Sequence, residues 1–158
     1  MGLSRIFVGF RRDFVSNSAI DWKNPLIKIS DFFSVGEVTK GDLRRIPVSA
    51  EIQQNILKLA IELDKIREEW GSGIVVTSWY RPIAVNRAVG GASNSQHIFG
   101  RAADIKPVNG DLLRFQGWLD QGWFGALGYG AKKGFIHLDM RNGKGWRSKG
   151  QKGSRWNY

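Results

Sequence analysis

The stretch SAEIQQNILKLAIELDKIREEW, residues 49–70, is the clearest structural element in the sequence. Its apolar residues recur at intervals of four and three positions, which places them in one stripe along an α-helix. They are Ile52, Ile56, Leu59, Leu63, Ile66 and Trp70. Ser49 can cap the first turn, Glu51 lies where the helix dipole favours an acid, and the GSG at 71–73 stops the helix. The pattern therefore predicts one long helix with a single face packed on a core.

Short segments on both sides of this helix have strand character. They are LIKISDFF (26–33), which is either a short strand or an edge segment, and the strands IVVTSWY (74–80), AADIKP (102–107) and GFIHLDMR (134–141). Between them, residues 81–95 indicate a loop with at most a short helical turn, and Asp111 can cap a second helix that runs to about Gln121. We expect an α+β fold, a small antiparallel sheet with the long helix packed on it.

The chain has the length of one ordinary domain, 158 residues. Residues 1–25 show no clear period and are expected to form an N-terminal arm, whereas 26–147 are expected to form the folded domain. From Asn142 onward the chain is rich in Gly, Lys, Arg and Ser and is expected to be mobile apart from Trp146 and Trp156, which can pin it down; residues 148–158 are expected to form a basic tail.

Composition limits the possible chemistry. The chain contains no cysteine, which excludes disulfides, thiol catalysis and cysteine-based zinc sites, so any metal must be held by His, Asp, Glu or backbone oxygens. The net charge of +10 favours anionic partners such as nucleic acid, anionic lipid or the acidic polymers of a bacterial envelope. No apolar run approaches the roughly 20 residues of a membrane span. The leading IFVGF is shorter than the core of a secretory signal, so we expect synthesis in the cytoplasm without an export signal.

Both histidines of the chain lie close to an aspartate. In FIHLDMR, the alternation of a strand directs His137, Asp139 and Arg141 to one face, while the residues between them supply an apolar face. Such a strand is either the floor of a site or an ordinary strand with one face in solvent.

His97 stands seven residues before Asp104 in SNSQHIFGRAADI, residues 93–105. The pair could be catalytic, could share a metal, or could be a coincidence of spacing. Together with His137 it makes two imidazoles and one carboxylate, a set that suits Zn²⁺ better than Mg²⁺ or Ca²⁺.

Three motifs in order resemble the zinc peptidases of family M15, the D-Ala-D-Ala carboxypeptidase type, and most of all its small peptidoglycan-cleaving branch. The motifs are SWYRP (78–82), NRAVGGASNSQHIFGRAADI (86–105) and FIHLDMR (135–141). The resemblance covers roughly residues 26–147 and implies the hedgehog/DD-peptidase-like zinc domain. It further implies one zinc ion per chain, bound by His97, Asp104 and His137.

The resemblance also assigns residues to the substrate and to proton transfer. Arg81 is expected to hold a carbonyl or carboxylate of the substrate. The other expected substrate contacts are Ser95, Tyr80 and Arg141, with Ser95 also a candidate for supporting the metal ligands. Many family members carry a catalytic carboxylate at the position of Gly134, so Asp139 becomes the candidate base here. The alternative is that Asp139 orients a ligand histidine.

The activity implied is hydrolysis of the stem peptide of bacterial peptidoglycan. We expect cleavage of the L-Ala–D-Glu bond rather than removal of terminal D-Ala, as in small phage lysis enzymes, by a monomer that acts on the cell wall. Anionic wall polymers are expected as additional partners. Two alternatives stay open: a zinc-binding module without catalysis, and a basic nucleic-acid-binding protein, although no nucleic-acid-binding motif is present.

Overall fold

The computed structural model describes residues 20–158 of the chain. Within them the fold is α+β, as predicted. The helices are α1 Val35–Thr39, α2 Ala50–Trp70, α3 Ile83–Ala88 and α4 Leu112–Gly122. The strands are β1 Ile74–Ser78, β2 Ala102–Pro107, β3 Ala126–Tyr129, β4 Ile136–Asp139 and β5 Arg155–Asn157. None of the helices in this part of the chain is long and apolar enough to cross a membrane.

Helix α2 matches the predicted long helix. The Ser49 hydroxyl accepts a hydrogen bond from the N–H of Ile52 at 3.4 Å, and Gly71, with a φ of 76°, ends the helix in the left-handed conformation that glycine adopts without strain. The residues that the helix buries are Ile56, Leu59, Ala60, Leu63 and Ile66. The apolar stripe read from the sequence is therefore the face that α2 presents to the core.

The five strands form one sheet in the order β1-β2-β4-β3-β5. The neighbours are antiparallel except β3 and β5, which run parallel. Ile136 and Leu138 of β4 belong to the same buried core as the apolar face of α2. Because side chains alternate along a strand, His137 and Asp139 point to the opposite face of the sheet.

The segment LIKISDFF does not form the strand that its alternation predicts. A single bridge joins Lys28 and Ser34, and the residues between them bend. The carboxylate of Asp64 on α2 accepts hydrogen bonds from the Ser30 hydroxyl and from the backbone N–H groups of the next two residues. Since a side chain satisfies these backbone donors, the segment needs no neighbouring strand.

The two ends of the chain differ in what the structure describes. Most of the predicted arm, residues 1–25, and the whole of IFVGF lie outside the described residues. The predicted tail contains strand β5, where the Arg155 side chain donates hydrogen bonds to the Asp120 carboxylate and the Trp123 carbonyl, both at 2.6 Å. Residues 155–157 therefore belong to the sheet and are not a free tail, while the boundaries at 26 and 147 stay predictions.

Candidate metal centre

Strand pairing and one short turn bring three potential metal ligands together. In the antiparallel register of β2 and β4, Asp104 lies directly opposite His137. His97 lies on the 3-10 turn Gln96–Phe99, which ends at Gly100 with a φ of 73°. One ligand atom from each of the three side chains lies within 4.8 Å of the others. The structure thus assembles the set that the sequence nominated, from positions 97, 104 and 137.

Gly100 allows this turn to lie directly against helix α2. A Cβ atom at position 100 would stand 2.8 Å from the Ile56 side chain and 3.0 Å from the Ile52 carbonyl oxygen, and the backbone there has positive φ. Both conditions favour glycine. The long helix therefore supports the turn that carries His97.

The ring of His97 is buried and its orientation is fixed by a backbone carbonyl. Its Nδ1 lies 2.6 Å from the carbonyl oxygen of Trp79. A carbonyl can only accept, so Nδ1 carries the proton and donates. The lone pair of Nε2 then faces Oδ1 of Asp104 at 3.3 Å. Burial lowers the pKa of His97, which favours the neutral ring that a metal requires.

The ring of His137 is held by a carboxylate instead. Its Nε2 donates to Oδ2 of Asp139 at 2.8 Å, and its Nδ1 faces Oδ1 of Asp104 at 3.0 Å. Burial by itself lowers the pKa of His137, but Asp104 and Asp139, which face its two ring nitrogens and can accept from the protonated ring, outweigh burial and raise it.

Two imidazole lone pairs and a carboxylate oxygen thus converge on one point. Burial by itself raises the pKa of Asp104, but His137 and His97, which can donate to this carboxylate when their rings are protonated, outweigh burial and hold the pKa far below its usual range. Acceptor atoms this close repel one another unless a proton or a cation lies between them. Two ring nitrogens, each oriented by a partner on the other side of its ring, and one carboxylate oxygen are the donor set of a zinc site with a position open for substrate. The residues present therefore fit a bound zinc ion.

Asp139 lies behind His137, on the side away from Asp104. It is fully buried, and Arg141 donates to its two oxygens from Nε at 2.9 Å and Nη2 at 2.7 Å. Burial raises the pKa of Asp139, but the hydrogen bonds from Arg141 and then from His137 outweigh it and lower the pKa to about 2. Both oxygens are engaged, and this geometry favours the orienting function over the function of a base.

Arg81 is bound to His97 through the backbone and lies close enough to Asp104 to feel its charge. Its N–H donates to the carbonyl of His97 at 3.0 Å, and burial lowers its pKa while the charge of Asp104 opposes this. Its Nε is buried without a hydrogen-bond partner among the described residues, and so is the Nε of Arg45. The sequence did not single out Arg45.

Of the other predicted substrate contacts, Ser95 and Arg141 have partners within the protein and Tyr80 is buried. The Ser95 hydroxyl accepts a hydrogen bond from the N–H of His97 at 3.3 Å and so begins the turn that carries this ligand. Tyr80 is largely buried, which raises the pKa of its phenol. Arg141 is bound to Asp139. Contact of any of the three with substrate stays a prediction.

Two aromatic residues near the centre were missed as site residues. The ring centroid of Trp156 lies 5.2 Å from that of His137, and the centroid of Tyr158 lies 6.4 Å from it. Their spacing of two in RWNY is the alternation of a strand, the one sequence signal that could have placed both on the same face.

A family model described as Peptidase M15 matches residues 33–139, more than half of the chain. No curated protein matches the chain. The match confirms the family read from the three motifs, whose peptidases are zinc-dependent, and it covers all three converging ligands. It leaves the phage-lysis branch a prediction.

Proposed function

Since the chain belongs to the Peptidase M15 family and is a peptidase, we propose that it is a zinc enzyme that hydrolyses the stem peptide of bacterial peptidoglycan at the L-Ala–D-Glu bond. The observation that carries the proposal is the convergence of lone pairs from His97, Asp104 and His137, whose ligand atoms lie within 4.8 Å of one another.

The three side chains would hold the ion through His97 Nε2, an Asp104 carboxylate oxygen and His137 Nδ1. A bound Zn²⁺ supplies Lewis acidity and lowers the pKa of a coordinated water from about 15.7 to about 7. The protein keeps both imidazoles in the tautomer that presents a lone pair, because their other nitrogens donate to the Trp79 carbonyl and to Asp139.

Arg81 is proposed to hold the carbonyl oxygen or a carboxylate of the substrate. Its buried Nε has no partner among the described residues, and the charge of Arg45 is close enough to contribute to lowering its pKa. A negatively charged substrate group beside Arg81 would offset the repulsion between the two guanidinium groups; the Nε of Arg45 already has the Asp42 carboxylate at 4.0 Å. Loss of one donor of this kind costs roughly 10²–10³ in rate.

Asp139 and Arg141 are proposed to act as one unit behind His137. Arg141 fixes the carboxylate of Asp139 with two hydrogen bonds, and this carboxylate fixes the ring of His137. The unit preserves the geometry of a ligand and leaves proton transfer to other groups.

The charge of the chain supports an acidic, wall-attached substrate. A net charge of +10 concentrates the protein at anionic surfaces, an effect that salt weakens. The resemblance to small phage lysis enzymes favours the L-Ala–D-Glu bond over D-Ala–D-Ala and favours a monomer that acts on the wall.

The test measures zinc content and peptidoglycan digestion for the wild type and His97→Ala, with the fragments identified by mass. For the wild type we expect about one zinc per chain and new L-Ala and D-Glu ends. His97→Ala should lose both the zinc and the cleavage. Chelator should abolish cleavage and added zinc should restore it. Release of D-Ala would move the assignment to a carboxypeptidase, zinc without cleavage would indicate a binding module, and a metal-free wild type would contradict the proposal.

A further inference from the structure

The last strand, β5, lies beside the metal centre although it falls outside the residues that the family model matches. Gly128 of β3 pairs with His137 on one side and with Trp156 on the other. Strands two positions apart in a sheet are separated by about 9.6 Å, so side chains on them rarely meet. Here no side chain separates His137 from Trp156, because Gly128, the residue that pairs with both, has none.

Gly128 is required for this contact. A Cβ atom at this position would stand 2.9 Å from the ring of Trp156 and 2.5 Å from the ring of Tyr158. Real Cβ atoms essentially never approach other atoms that closely, so the two rings would have to move. The missing side chain therefore lets both rings lean across β3 toward His137.

Trp156 closes a ring of contacts around the ligand. His137 donates to Asp139, Asp139 is bound by Arg141, and the guanidinium of Arg141 lies 5.1 Å from the ring centroid of Trp156. Trp156 in turn packs on His137, with 5.2 Å between centroids. One indole thus restrains both the imidazole and the arginine that orients it.

Tyr158 extends the same wall toward solvent. Its ring packs on Phe135 at 5.0 Å and lies 6.4 Å from His137, yet the residue is 49% exposed. Burial, and then the charge of Asp104, raise the pKa of its phenol. A peptide bound at the metal centre would meet this ring at the edge of the site.

We propose that β5 and the residue after it, Tyr158, form one wall of the active site, in which Trp156 positions the ring of His137 and the phenol of Tyr158 donates a hydrogen bond to the bound peptide. The assignment of Tyr158 rests on the proposed peptidase function, whereas that of Trp156 rests only on the metal centre.

The first test measures zinc affinity by competition with a chromogenic chelator, and the absorption bands of the Co²⁺-loaded protein, without substrate. Loss of support behind a metal-binding histidine typically costs 10–100-fold in affinity. We therefore expect Trp156→Ala and Gly128→Ala to weaken zinc binding by roughly 10-fold or more and to shift the Co²⁺ bands. Trp156→Phe, which keeps a ring, should restore most of the affinity.

Gly117→Ala is the matched control for Gly128→Ala. Gly117 lies on α4 with nothing near the position of its missing Cβ, so alanine there should leave zinc binding unchanged. Wild-type affinity and Co²⁺ bands in both Trp156→Ala and Gly128→Ala would overturn the positioning of His137.

The second test compares kcat and KM of Tyr158→Phe on the stem peptide. We expect kcat/KM to fall about 5–10-fold at unchanged zinc affinity, the effect of one lost hydrogen bond. Tyr129→Phe is the control, since its phenol donates to Asp120. Unchanged kcat/KM in Tyr158→Phe would overturn the substrate contact. A wild type that binds zinc but does not cleave the peptide would contradict the proposed function and the Tyr158 contact, while zinc affinity would still decide on Trp156.

Discussion

His97 and His137 face the same carboxylate, but the protein holds them by different means. The ring of His97 lies on a turn packed against α2 and donates its N–H to a main-chain carbonyl, that of Trp79. The ring of His137 donates its N–H to the carboxylate of Asp139, which Arg141 holds in place. One ligand is fixed by the backbone and the other by a relay of side chains.

This difference predicts unequal sensitivity to mutation. No single side-chain substitution removes the acceptor of His97, because a carbonyl belongs to every residue. The support of His137 can be removed one side chain at a time, at Asp139, Arg141 or Trp156. Substitutions around His137, the ligand on β4, are therefore expected to change metal affinity in steps, whereas the support of His97 offers no side chain to remove.

Loss of either histidine ligand should have the largest effect on zinc content, and the effect should be the same for His97 and His137. We expect His97→Ala and His137→Ala each to reduce zinc from about one ion per chain to almost none after dialysis, because a site of this type needs three protein ligands. Elemental analysis of the purified proteins measures this. Retention of stoichiometric zinc in one of the two variants would show that its histidine is not a ligand.

Asp139→Asn should weaken zinc binding by roughly 10–100-fold, the usual cost of losing support behind a ligand. Asparagine can still accept from His137, but it cannot pair with the charge of Arg141. Competition with a chelator gives the affinity. If Asp139 is instead a base, kcat will collapse while zinc affinity stays at the wild-type value.

Asp64→Asn provides the control for this substitution. Asp64 is likewise a carboxylate with several hydrogen bonds, although it is only partly buried, and its partners belong to the bend at residues 30–32. The variant should alter the stability of that bend and leave zinc affinity unchanged.

Arg141→Ala should have a smaller effect, about a 10-fold loss of zinc affinity, because Asp139 remains but is free to turn. Arg141→Lys should recover only part of the loss, since lysine lacks the planar fork that binds both carboxylate oxygens. Arg147→Ala is the control, because Arg147 makes a similar pair with Glu69 at the exposed surface. Equal affinities for the Arg141 and Arg147 variants would argue against the relay.

The sequence predicted those parts of the fold that are encoded locally. The stripe of α2 and its cap at Ser49 are periodic signals, and the structure begins and ends the helix where they indicate. The three motifs named the three residues whose ligand atoms converge, and the parity of FIHLDMR placed His137 and Asp139 on one face. The helix and the shared strand face need only neighbours in the chain, whereas the ligand set rests on the resemblance of the three motifs to a known family.

What the sequence missed depends on distant partners. LIKISDFF alternates like a strand, but Asp64, more than thirty positions away, takes its backbone donors. RWN (155–157) is a three-residue strand within a stretch rich in Gly and Lys, and only pairing with β3 at Gly128 and its neighbours makes it part of the sheet. No local period reports either contact.

Ser95→Ala should have the smallest effect and it sharpens the contrast between the two histidines. The Ser95 hydroxyl accepts a hydrogen bond from the N–H of His97. Loss of this hydroxyl should lower the free energy of unfolding by about 1 kcal/mol, as for other caps. The Trp79 carbonyl still holds the ring, and zinc affinity should therefore fall less than in Arg141→Ala. Denaturant unfolding and chelator competition measure the two quantities.

A loss of affinity as large as that of Asp139→Asn would mean that the turn, rather than the carbonyl, fixes His97. A higher KM at unchanged affinity would identify Ser95 as the substrate contact that the family resemblance suggests.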